Sequence, residues 1–468
     1  MLLSVQQSIP GFLNYSPKWT CKSPNFTDSV FAKDCNLYHA CPKEFLEFET
    51  PLFHSMVLEF GMHCGRSSYF ATSISSFQFA GVLLGTITFG HLADKFGRKR
   101  ICIVCLLLGI TAALGSAFSP VWQLLAAFRL LMGMVVGGII TVSFAYCMEF
   151  CLPEQRTFVK AFMTYGVGRL VATLICYLLP WWRYAAAVTA ISVCIPFLLL
   201  LLYMPESPNW LESQERYREK QEVLAWIAKL NKVEPDVRQK DLERSEAHNT
   251  RIYTIKDLFS TKTLTLTTLT LSVMWFSSSF ASFALDLNIR NLSGNLYVKQ
   301  VVLGLLHPIS KLIYIYESYS EKFNRRTMHQ ASMSGVITIM MLITILINLE
   351  IGDIYLAYLS ALAYVFTGFS WDANYLCSAE LYPTVVRSIG IGSNSAMARL
   401  GAVLSPQLNY LGNIWSSAPY VGVTVVSTIC VMVSCALLQE TKGKELDLKL
   451  QVNTKPASNS TCLESTTV

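Results

Sequence analysis

Gly90-His-Leu-Ala-Asp94-Lys-Phe-Gly97-Arg98-Lys-Arg100 separates two apolar runs, Tyr69 to Phe89 and Ile101 to Phe118. A helix of about 20 apolar residues crosses a hydrocarbon core of about 30 Å, so each run reads as a membrane span. The turn carries four cations, Lys95, Arg98, Lys99 and Arg100, which place it on the cytoplasmic side. Asp94 and the arginines are set to cap and clamp the two helix ends. One stretch therefore supplies topology, a hinge and a clamp of Gly90, Asp94, Gly97 and Arg98.

Parts of it recur further along. Glu321-Lys-Phe-Asn-Arg325-Arg repeats the acid-basic-aromatic-polar-basic-basic order 227 residues beyond Asp94. Glu149 and Arg156 are matched by Glu380 and Arg387, with the same spacing of seven and an offset of 231. Glu206, in Pro205-Glu-Ser-Pro, is matched by Glu440 at an offset of 234. Three echoes at a near-constant shift mean an internal duplication. Membrane halves repeated in parallel are the build of one large class of transporters.

Of 468 residues, 52% are hydrophobic and 15% charged, against about 25% charged in soluble domains. This is an all-α integral membrane protein. A net charge of +6 reads as loop bias and not as nucleic-acid affinity. No phosphate-binding Gly-rich loop of the Gly-x-x-x-x-Gly-Lys-Ser/Thr type occurs, so nothing suggests ATP use, a cofactor or an enzyme.

Residues 1–14 are apolar but too short to span, and read as the outer half of a truncated first span. Residues 15–68 form a polar loop holding Cys21, Cys35, Cys41 and Cys64, with the glycosylation sequon at Asn25. Four cysteines in such a loop point to two disulfides in an oxidising space, with three pairings open. Spans two to six occupy 69–203, a charged and partly helical cytoplasmic linker 204–262, spans seven to twelve 263–438, and a polar tail 439–468. Cations crowd alternate loops, which puts 1–68 outside and the tail inside. Gly81 and Gly85, and Gly133 and Gly137, are four apart and read as close helix packing.

Charges within spans are costly and usually face a polar cavity. Arg169 lies in span five, Lys311 in span eight, Asp372 in span ten and Arg399 in span eleven. Three cations against one anion make a positive interior, which favours anionic solutes, and an arginine fork suits a carboxylate. Arg129, in span four, reads as structural. Phe276, Phe280 and Phe283 share one face of span seven, with Trp275 beside them, and would offer an aromatic wall to a bulky organic ion.

The Gly90–Arg100 stretch resembles the signature loop of the major facilitator superfamily. Pro205-Glu-Ser-Pro-Asn-Trp-Leu211 and Glu380-Leu-Tyr-Pro-Thr-x-x-Arg387 are similar to motifs of sugar porters and of the organic ion transporters of solute carrier family 22. The long Cys-bearing loop and Trp275-Phe-x-x-Ser-Phe280 point to the latter. The resemblance implies the major facilitator fold, two six-helix halves, in the plasma membrane. His307-Pro-Ile-Ser-Lys311 and Ser395-Ala-Met-Ala-Arg399-Leu-Gly-Ala-Val-Leu-Ser-Pro406 resemble the contexts of a lysine and an arginine in the anion-transporting branch. Departures are Asn324 for a glycine, Gln439 for a proline, Asn209 for an arginine, and four loop cysteines where relatives often have six.

The expectation is a carrier of bulky organic anions working by alternating access, with a counter-transported anion as a candidate partner. Arg399 holds the anionic group, Lys311 assists, and Arg169, Asp372 and the span-seven aromatics complete the site. The alternatives are an organic cation or carnitine-type carrier, kept open by Asp372, and a transport-incompetent truncated isoform.

Overall fold

A computed structural model describes residues 5–6, 8–22, 31, 33, 35–151, 165–232, 254–288, 295–319, 324–349, 353–383, 386–438 and 440; for 309–319, 353–354 and 413 it describes the backbone only. Among the described residues, short elements come first: α1 (Pro10–Leu13), β1 (Trp19–Cys21), α2 (Cys35–Ala40), a 3-10 turn (Lys43–Phe45), β2 (Leu46–Phe48) and α3 (Met56–Glu59). The first half continues as α4 (Gly65–Phe96), α5 (Arg98–Ala117), α6 (Trp122–Phe150), α7 (Tyr165–Leu178) and α8 (Trp182–Leu202). The linker holds α9 (Pro208–Ser213) and α10 (Tyr217–Asn231). The second half is α11 (Lys262–Asn288), α12 (Leu296–Tyr319), α13 (Arg325–Asn348), α14 (Asp353–Leu381), α15 (Arg387–Ile414) and α16 (Ala418–Leu437).

Hydrocarbon offers no partner to a backbone amide, so apolar runs of this length must close their hydrogen bonds within a helix. Seven of the described helices, α4, α5, α6, α8, α11, α13 and α16, are long and apolar enough to cross a membrane. Helices α12, α14 and α15 fall in the expected span positions yet carry Gln300, His307, Lys311, Asp372, Asn374, Asn394, Arg399, Gln407 and Asn409. That polar content marks them as helices facing more than lipid.

The turn between the first two spans is shorter than the sequence suggested. Helix α4 runs through Gly90 and Asp94 to Phe96, and only Gly97 separates it from α5. Gly97 has φ +105°, a conformation open to glycine and closed to side chains. Gly90 sits inside the helix, where a Cβ would meet only Thr141 Cγ2 at 3.7 Å.

Helices α4 and α6 pack backbone to backbone. A Cβ on Gly81, Gly85, Gly133 or Gly137 would collide with main-chain atoms of the facing helix, so the two glycine pairs interlock as their spacing predicts. Between the halves, α4 meets α15 and α7 meets α12.

The segment after α1 is a small disulfide-bonded domain. Strands β1 and β2 pair antiparallel with Trp19 opposite Phe48, and the disulfides join Cys21 to Cys41 and Cys35 to Cys64. Asn25 lies outside the described residues. The domain is docked by Glu59, which accepts hydrogen bonds from Trp182 Nε1 at 2.6 Å and Arg183 Nη2 at 2.6 Å. Arg183 also donates to the carbonyls of Ala117 and Ser119. His63 is 7% exposed, set among Trp19, Tyr38 and Phe48, and bonded to Ser16. Burial first, and the Lys33 charge second, push its pKa down to about 4.

Two outcomes are expected. Gly133→Val, which must push α4 from α6, should abolish delivery to the cell surface, measured by surface biotinylation. The unfolded chain binds a proton at His63 near pH 6.5 and the folded one does so only near pH 4. The disulfide-bonded domain should therefore be most stable above pH 6.5 and lose about 2–3 kcal/mol as pH falls toward 4. Limited proteolysis across that range should show this, and His63→Gln should flatten it.

Candidate functional site

Two faces of the bundle are set apart by their chemistry. The disulfide domain covers one, at the start of α4. At the other, the charged echoes come together, half by half. Arg98 Nη1 pairs with Glu149, whose other oxygen accepts from Ser207 Oγ. Glu206 Oε1 accepts from Lys99 N at 2.8 Å, placing a carboxylate at the positive end of α5. In the second half Arg325 Nε bonds Glu380 Oε1 at 3.1 Å, and Glu440 accepts from Arg325 N and Arg326 N at 3.2 and 3.3 Å. Arg98, Glu149 and Glu206 thus map onto Arg325, Glu380 and Glu440.

This regroups the clamp. Asp94 was expected to hold Arg98, but its side chain is 75% exposed and 3.9 Å away, while Glu149 takes the guanidinium. Asp94 contributes its carbonyl, which accepts from Trp210 Nε1 at 2.9 Å. Arg387 donates from Nε to Tyr382 O at 3.3 Å. Arg156 and Glu321 lie outside the described residues. Each described cluster is internal to one half, so it braces that half and does not bridge the two.

The interior charges separate into two environments. Arg169, 1% exposed on α7, forms a two-pronged bridge to Asp286 on α11, with Nη1–Oδ1 2.6 Å and Nη2–Oδ2 2.5 Å. Tyr165 Oη accepts from Nη2 at 3.1 Å and Gln300 Oε1 from Nη1 at 3.3 Å. The rings of Tyr165 and Tyr364 stand 5.0 and 5.9 Å from the guanidinium. The expected excess of three cations over one anion is corrected here. Asp286 answers Arg169, so that arginine adds no net charge to a binding space.

Arg399, on α15, is placed differently. It is half-buried, and its Nε is shielded from solvent with no hydrogen-bond partner. No ion pair within 4.0 Å joins it to Asp372, a residue buried on α14. Tyr375 lies within electrostatic reach of both. Tyr375 is 43% exposed although it packs on Trp275 at 4.6 Å and near Trp371 at 6.3 Å. Lys311 is carried by α12, its side chain outside the description.

The aromatic stripe of α11 is divided. Phe280 is buried in an apolar cluster with Ala284, Ile339 and Met340, which corrects its expected place on a binding wall. Phe283 packs on Phe79 across the two halves, centroids 4.7 Å apart. Phe276 stays half-buried, stacked on Phe280 at 5.9 Å, where α11 touches α15 at Gly401. A second aromatic group, Trp275, Trp371 and Tyr375, comes within electrostatic reach of Arg399 through Tyr375. It is pinned by Trp275 Nε1 to Ser378 Oγ at 2.9 Å and Trp371 Nε1 to Ser282 Oγ at 3.0 Å.

Sequence reasoning missed Asp286 because it falls at the expected end of its span, where an acid reads as interfacial. It also passed over a signal: Arg169-Leu and Arg399-Leu are 230 residues apart, the offset of the duplication. Arg169 and Arg399 are repeat partners.

Helices long and apolar enough to cross a membrane, two repeated halves, and a shared charged corner in each fit a membrane carrier. The family described as sugar (and other) transporter matches residues 30–450. Solute carrier family 22 member 7 of Bos taurus is 30% identical, over 90% of this chain and 77% of that one. The organic cation transporter protein of Drosophila melanogaster is 29% identical, over 88% and 77%. An uncharacterized protein of Caenorhabditis elegans is 35% identical, over 95% and 91%. Among solved structures, the inward open xylose transporter XylE from E. coli superposes with a TM-score of 0.65 at 17% identity, covering 95% of this chain and 97% of that one. The fold is that of the major facilitator superfamily, and the chain belongs to solute carrier family 22. Family and fold are those of membrane transporters, not of enzymes.

At Gly97 a Cβ would stand 2.5 Å from Glu206 Oε2. Gly97→Ala should therefore lower thermal stability in detergent by about 1–3 kcal/mol. Gly392→Ala, on α15 with nothing within 4 Å, should not.

Proposed function

We propose that this chain carries bulky organic anions across the plasma membrane by alternating access. The observation that carries this reading is Arg399: a guanidinium in the middle of α15, its Nε dry and unbonded, within electrostatic reach of Tyr375, which groups with Trp275 and Trp371. An unanswered cation in low dielectric is costly, and a solute carboxylate removes that cost with charge-assisted hydrogen bonds. The apolar body of the solute packs on Phe276, Trp371 and Tyr375, and Lys311 adds a second positive charge. Arg169 is spoken for by Asp286 and plays no direct part in holding solute.

The disulfide domain faces outward and the Arg98 and Arg325 corners face the cytoplasm. Disulfides in an oxidising compartment and the clustering of Arg98, Lys99, Arg100, Arg325 and Arg326 support that orientation. Solute is exchanged at mid-membrane as the two halves rock. A counter-transported anion would reset the carrier.

A second reading, an organic cation or zwitterion such as carnitine, is favoured by Asp372, which shares the Tyr375 neighbourhood. Uptake of a labelled aromatic carboxylate in expressing cells separates the two. Arg399→Ala should reduce uptake efficiency about 10- to 100-fold, the worth of one charged hydrogen-bonding group, with surface expression unchanged. Uptake insensitive to Arg399→Ala, and inhibited by unlabelled organic cations, would instead support the second reading.

A further inference from the structure

We propose that Arg169 and Asp286 form a latch that holds the two halves together beneath the disulfide domain, breaking and re-forming once per transport cycle. The proposal rests on the carrier class and not on the sign of the solute.

Arg169 belongs to the first half and Asp286 to the second. Among the described residues this is the one ion pair that joins the halves. The inter-half contacts around it are neutral. Ser76 Oγ donates to Val403 O at 2.9 Å and accepts from Gln407 Nε2 at 3.0 Å. Phe79 stacks near Phe283, and Tyr69 lies 5.2 Å from Tyr410. Gly166 of α7 faces Gly304 of α12, where a Cβ would be 2.6 Å from the Gly304 carbonyl. Phe79, Phe283, Ser76, Gln407 and Tyr69 all fall in the halves of their helices nearer the disulfide domain. Tyr375 falls toward the other end, seven residues from the last residue of α14 when both ends are counted.

A buried ion pair suits a latch. Its attraction roughly offsets the desolvation of both partners, so it fixes register without locking the closed state. When the halves part on this side, water reaches both groups and hydrates them. Removing one partner is different. The remaining charge is then stranded in the dry closed state but not in the wet open one, so the equilibrium moves toward the open state. The duplication sharpens the assignment. Repeat-related arginines occupy α7 and α15; Nε is unbonded in both, but only Arg169 has an ion pair among the described residues.

The test places a cysteine at Phe79, buried between the halves, in the full chain expressed in cells, and treats intact cells with a membrane-impermeant maleimide. The same backgrounds without the introduced cysteine set the baseline. Asp286→Asn and Arg169→Gln should each raise the alkylation rate at position 79 at least about tenfold, and the exchange Arg169→Asp with Asp286→Arg should return it to within about twofold of the parent. Surface-expressed single variants alkylated at the parent rate, or an exchange variant that stays fast, would overturn the latch. If a single variant is retained inside the cell, Asp286→Glu replaces it. That change keeps the charge and moves the carboxylate, so an intermediate rate supports the latch and the parent rate overturns it. Solute is absent from this readout, so failure here leaves the anion reading standing, and the reverse also holds.

Discussion

A charge inside a hydrocarbon slab must be answered by protein, by solute or by an aqueous opening. The rest of this molecule follows from how it answers two arginines. Arg169 is given a carboxylate, a tyrosine hydroxyl, an amide oxygen and two aromatic rings. Arg399 lies within electrostatic reach of Tyr375, and its Nε has no hydrogen-bond partner. Arg169 is therefore neutralised by the scaffold, whereas no ion pair among the described residues neutralises Arg399.

The same logic runs at the clamp face. A single glycine links α4 to α5, and the α5 amino end is capped by Glu206 from beyond α8. Glu440, beyond α16, caps α13 in the same way. Each half thus ties its first and last parts together with an acid on a helix dipole and an arginine–glutamate pair. Bracing each half makes it a body that can move as a unit. Among the described residues, the hydrogen bonds and ion pairs between the halves lie in other parts of the molecule.

Much of this was legible in the chain. Apolar runs of 20 residues have one stable solution in lipid, so the helices and their order could be read directly. Glycines four apart gave the α4–α6 contact, because only a missing Cβ allows backbones to touch. The three echoes gave the duplication, and the clamp residues of the two halves do superpose in role. Other features were not legible. Asp94 and Glu149 are both acids near Arg98, and spacing alone could not say which one the guanidinium meets. Phe276, Phe280 and Phe283 share a helix face, but a helix face can be shared among a core, a neighbour and an opening.

The sequence by itself determined the membrane class, the helix order, the repeated halves and which cations lie within spans, because these follow from hydropathy, periodicity and repetition along one dimension. Only the tertiary structure decided which cation is neutralised. Asp286 is 117 residues from Arg169, at the rim of its own helix, and becomes an interior partner only when α7 and α11 are brought side by side. The disulfide pairing was decided in the same way, since it depends on which cysteines fold within bonding distance and not on their order. Local pattern specifies the elements, whereas the pairing of charges and thiols is a property of distances that exist only after packing.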